Sequence, residues 1–129
     1  MGSIEPLTRY IVVKILSGRR DIVDLIYEYF VYNESPTTLA HRYGMTVNQI
    51  KNYIQRVMEK TFSSYRAKVL LKYIYPYAIR IEPIINRNIC KICREYVFMP
   101  ESHIISRHRD IIDTYTMKII SEVFTWMKH

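Results

Sequence analysis

The run from Ser35 to Val57 leaves this chain few folds to choose from. Ser35 can cap a helix, and Pro36 suits the first helical position, where a missing N–H costs nothing. Leu39, Ala40 and Tyr43 give that helix an inward face. Gly44 can then take the left-handed conformation that ends it. Thr46 opens a second helix, and Gln49 three residues later completes a capping box. Ile50, Tyr53, Ile54 and Val57 recur at helical spacing, so one face of this helix is buried. Ala40 supplies the small side chain that two crossing helices need at closest approach. The pattern predicts two short helices meeting at a sharp corner.

Charge singles out the same region. The net charge is +7 over 129 residues. Residues 1–34 carry four Lys/Arg against five Asp/Glu, and residues 82–129 carry seven against six. Between them, residues 35–81 carry eight basic side chains against Glu59 alone, so the whole excess lies in and just after the two-helix corner. Such a footprint is expected of a face that binds phosphates; the alternative is a solvated surface without a partner.

Ala40, Gly44 four residues on and Ile50 six further resemble the helix-turn-helix of transcription regulators, with Leu39, Tyr43, Met45 and Tyr53 at that family's other apolar positions. The stretch from Leu25 to Val57 is similar to the sigma-factor region-4 type. The resemblance implies that the second helix, residues 46–60, enters the major groove and reads base edges with its exposed N-terminal residues. Those are Thr46, Asn48, Gln49, Asn52 and Gln55. Asn and Gln can pair bidentately with adenine, and Thr can contact the thymine methyl. Lys51, Arg56 and Lys60 are placed for phosphates, with Arg42 and Thr38 contributing from the first helix. Ordinary helix-surface polarity is the competing reading of the amides.

Elsewhere the periodicity predicts helices over 3–16, with Ser3 as cap and Gly18 as stop, over 21–32, and over 64–75, closed by Pro76. Residues 76–88 read as a linker interrupted by Pro83. Alternation from Ile89 to Phe98 suggests a short hairpin. A long amphipathic helix follows, running to Trp126 and starting near Ser102 or restarting at Asp110. The expected fold is mainly α: a helix-turn-helix domain over 1–75, then, over 89–129, a small zinc-stabilised hairpin with the long C-terminal helix.

Cys90 and Cys93 are followed by His103 and His108, giving C-x2-C-x9-H-x4-H. Two thiolates on a tight turn and two imidazoles near a helix start can close a tetrahedral zinc site. The order resembles the Cys2His2 zinc finger, although nine residues separate the pairs where about 12 are usual. Residues five apart lie about 140° apart on an ideal helix, so the two histidines share one ion only if the helix starts at His103 or is distorted. His108 as a core histidine and the cysteines as a redox pair or disulfide remain alternatives. With four protein ligands the site would be structural. The acidic, proline-containing run before His103 is a poor base reader.

These features point to a sequence-specific regulator that binds double-stranded DNA, with structural Zn2+ as cofactor. Alternatives are an assembly module that forms a homodimer through its last helix, and an RNA-binding protein stacking bases on Tyr73, Tyr75 and Tyr77. No paired carboxylates, phosphate loop or nucleophile–base pair stands out, so neither an enzyme nor a small-molecule substrate is expected. No apolar run reaches the roughly 18 residues of a membrane span, and Glu5 and Pro6 interrupt any secretory pattern. An intracellular location is expected. Twenty isoleucines against three alanines and two glutamines suggest an A·T-rich, thermophilic source such as an archaeal virus, placing the protein in the cytoplasm of a prokaryotic host.

Overall fold

The computed structural model describes residues 4–127, with side chains through Thr125. The expected cap Ser3, the Trp126 side chain and His129 lie outside them. The described chain is mainly helical, as expected. Its elements are α1 (Ile4–Leu16), α2 (Arg20–Tyr32), α3 (Pro36–Tyr43), α4 (Val47–Thr61), α5 (Ser64–Ala78), a hairpin of β1 (Ile85–Asn86) and β2 (Ile89–Cys90), α6 (Pro100–Arg107) and α7 (Arg109–Met127).

Helix α1 is the axis of the molecule. It packs against α2, α4, α5, α6 and α7. The consecutive residues Ile11, Val12 and Val13 are all buried, as are Ile15 and Leu16. A helix apolar on most sides must be surrounded rather than laid on a surface. Lys14 is buried with them. Its ammonium meets Glu101 of α6 at 2.6 Å and lies 5.1 Å and 5.6 Å from the ring centres of Tyr10 and Tyr53.

The corner forms as its local chemistry dictates. The Ser35 hydroxyl accepts from the Thr38 N–H, and Gly44 ends α3 in the left-handed region at φ 64°. Thr46 and Gln49 form the reciprocal capping box of α4. Leu39, Ala40, Ile50 and Val57 are buried beneath the corner. On α2, Glu28 accepts from both the Arg42 guanidinium and the Tyr43 hydroxyl, fastening α3 to its predecessor.

Three expectations are corrected. Pro76 does not end α5; it sits inside the last turns, where it removes one backbone donor. Residues 76–88 are not a linker. They finish α5 and supply β1, and Ile81, Ile84 and Ile85 are buried in the shared core. The division at that point therefore does not separate two bodies, because α7 packs along α1 and α5. The hairpin lies earlier than the alternation suggested. Ile85 faces Cys90 and Asn86 faces Ile89, while residues 95–97 pair back only through the bridge between Ile89 and Tyr96 and its flanking hydrogen bonds from Cys90 N–H to Glu95 and from Val97 N–H to Asn88.

Gly18 is where the hairpin docks on α1. The Ile84 N–H donates to the Leu16 carbonyl at 2.9 Å. Gly18 has φ +85°, and a Cβ there would stand 2.8 Å from the Ile85 carbonyl oxygen. Both the conformation and the backbone contact exclude a side chain. Gly18→Ala is expected to destabilise the protein by about 1–3 kcal/mol, read from urea unfolding. An unchanged midpoint would show that the hairpin does not bear on the α1 end.

Candidate functional site

The four predicted metal ligands come together. Cys90 ends β2, and the chain turns back at once: the Arg94 N–H donates to the Cys90 carbonyl at 2.8 Å, with Arg94 at φ 60°. That turn brings Cys93 beside Cys90, and the Cys93 N–H points at the Cys90 sulfur at 3.4 Å. His103 lies on α6. His108 lies at its C-terminal end, where φ −128° and ψ 37° break the helix before α7 begins. This break resolves the angular difficulty of two histidines five residues apart. One imidazole projects from the helix, and the other is turned towards it by non-helical backbone.

The ligand atoms of all four residues lie within 4.8 Å of one another. Cys90 Sγ is 3.4 Å from His108 Nε2, and Cys93 Sγ is 3.4 Å from His108 Nε2 and 3.5 Å from His103 Nε2. Zinc bonds of about 2.3 Å to sulfur and 2.0–2.1 Å to nitrogen, at the tetrahedral angle, place sulfur and nitrogen ligands about 3.5 Å apart. Three of the four sulfur–nitrogen edges match that value. The quartet can therefore hold a metal ion. Burial and the neighbouring Cys90 sulfur push the Cys93 thiol up, while burial and the nearby His103 push the His108 imidazole down.

The expected DNA-reading residues lie together on α4, and all five are exposed. They are not equivalent. The Thr46 hydroxyl accepts from the Gln49 N–H, and Gln49 Oε1 accepts from the Thr46 N–H at 2.9 Å. Gln49 therefore cannot offer its amide bidentately without opening the cap. Asn48, Asn52 and Gln55 make no side-chain hydrogen bond among the described residues, and they share the ridge opposite Ile50 and Val57. Glu59 extends that ridge with a carboxylate.

Of the expected phosphate-contacting residues, Lys51 and Arg56 are exposed and Lys60 is half-buried. Arg42 is exposed too, and its guanidinium pairs with Glu28 and, at 3.7 Å, with Glu34, so a phosphate there would compete with two carboxylates. The exposed Thr38 hydroxyl accepts from Ser35 at 2.9 Å and keeps its own proton to donate. Of the three tyrosines weighed for base stacking, Tyr75 is engaged within the protein. All three are half-buried, and Tyr75 stacks on Tyr27 at 4.1 Å and donates to Asp24 at 2.7 Å.

The residues missed from sequence are Lys14 and Glu101, which join α1 to the helix carrying His103. The signal available was a lysine within an apolar face. No helix among the described residues is long and apolar enough to cross a membrane. No family model, curated protein or solved structure matches this chain.

Proposed function

We propose that the protein is a sequence-specific double-stranded DNA-binding transcription regulator of helix-turn-helix type. In this reading α4 lies in the major groove and a structural zinc ion closes the Cys90, Cys93, His103 and His108 quartet. The observation that carries the reading is the outward ridge of α4, where Asn48, Asn52 and Gln55 are exposed and unengaged while Ile50 and Val57 anchor the opposite side. Such amides are suited to adenine edges, and Lys51 beside them to the backbone. Zinc fits better than a harder cation because two thiolates and two imidazoles are ligands it prefers. The ion braces the hairpin and α6 against α1, and base reading falls to α4. A homodimer would present two copies of α4 to a palindromic site; Met117 and Phe124, exposed on α7, are available for such pairing.

Duplexes selected from a randomised pool, followed by anisotropy titration over a range of salt, test the reading. Affinity is expected to fall steeply with salt, by about 0.9 in log–log slope for each phosphate contacted. Lys51→Ala is expected to weaken selected and random duplexes alike and to reduce the slope by about 1. Protein that ignores duplexes at low ionic strength would overturn the proposal.

A further inference from the structure

A cleft of about 430 Å³ opens between α1, α4 and the joint of α6 with α7. Five cations border it, in two distinct states. Arg9 is paired with Glu5 and Asp113, and Lys14 with Glu101. Arg56 and Lys60 from α4 and Arg109 from the first turn of α7 have no carboxylate partner among the described residues. Lys60 instead holds its ammonium 4.8 Å from the centre of the Tyr10 ring, beside the cleft. Three like charges from two elements, α4 and α7, line one concavity without a carboxylate partner among the described residues, which favours an anion among them.

The chemistry of the three selects the anion. Two guanidinium forks and one ammonium suit a tetrahedral group with several acceptor oxygens and more than one negative charge. We propose that this cleft binds a phosphoryl group, held by Arg56, Lys60 and Arg109. Two sources share that chemistry. One is the DNA backbone alongside α4, and this source rests on the function proposed above. The other is the phosphate of a small organic molecule, whose body would lie on the apolar floor of Val13, Ile105 and Ile112. That floor includes Ile105 at 50% exposure, an apolar surface that a backbone phosphate alone does not require.

The test compares wild-type protein with Arg56→Gln/Arg109→Gln and with Lys72→Gln/Lys118→Gln, which removes the same charge away from the cleft. Thermal melts confirm that each variant is folded. In the first arm, inorganic phosphate and AMP are titrated calorimetrically at fixed ionic strength without DNA. A free phosphate as source predicts binding to wild type and to the control, weakened roughly tenfold or more in the cleft variant. In the second arm, the salt dependence of duplex binding is measured. A backbone phosphate as source predicts a slope reduced by about 0.9 relative to the control variant. If the wild type ignores duplexes, the first arm decides alone. Cleft and control variants that behave alike in every arm that can be read, or no anion binding where only the first can be read, would overturn the proposal.

Discussion

Treatment with a strong chelator is expected to dismantle the segment from Ile84 to His108 and to lower the unfolding midpoint of the whole protein. The segment is anchored at its edges by buried Ile84, Ile85 and Ile104 and by the Lys14–Glu101 pair, but the hairpin between them is short and largely exposed. Its strands are two residues each, and Ile89, Ile92, Tyr96 and Phe98 are exposed rather than buried. Binding of structural zinc contributes about 10–16 kcal/mol at neutral pH, more than such a hairpin could supply by burial. Cys90→Ala and His108→Ala are each expected to abolish stoichiometric zinc, measured by elemental analysis. Cobalt substitution of the unmodified protein should give the absorption of a tetrahedral thiolate–imidazole complex. Because the thiols must ionise to bind, acidification should release the metal. A protein purified without metal that melts at the same temperature with and without added zinc would sink this account.

Asn52→Ala is expected to cost about 1–3 kcal/mol on a selected duplex while leaving random duplexes nearly unaffected. The side chain is exposed and makes no hydrogen bond among the described residues, so its removal should leave the fold and its unfolding midpoint unchanged. This separates it from Gln49, whose loss would also open the cap of α4. Equal losses on both kinds of DNA would assign Asn52 to positioning rather than reading.

What could be read from the sequence was mostly local. Ser35, Gly44, Thr46 and Gln49 act through hydrogen bonds or dihedral preferences within four residues of themselves, so their pattern carries its own outcome. The metal quartet was legible for a related reason: ligand types are few and their order is informative. Its geometry was legible only as an option, a helix restarting at Asp110, because His108 is no breaker residue; α7 begins at Arg109, one residue before that apparent cap. The hairpin was displaced because its turn is built on Arg87 and Asn88, both at positive φ, in place of the Asn-Gly or Asp-Gly pair that signals such turns. The Lys14–Glu101 contact spans 87 positions, and no local pattern announces it. The centrality of α1 was hidden likewise. Periodicity finds one apolar face, but the number of neighbours a helix will have is set by the rest of the chain.

The partnership of the first described helix with the last has a kinetic consequence. Arg9 meets Asp113 across 104 positions, and α7 covers the flank of α1. A ribosome adding about 5–20 residues per second needs roughly 5–20 seconds to travel that distance. Throughout that interval the most apolar helix of the molecule has emerged without the partner that shields it. Final closure must follow synthesis of α7, which leaves nascent α1 the segment with most to gain from a chaperone.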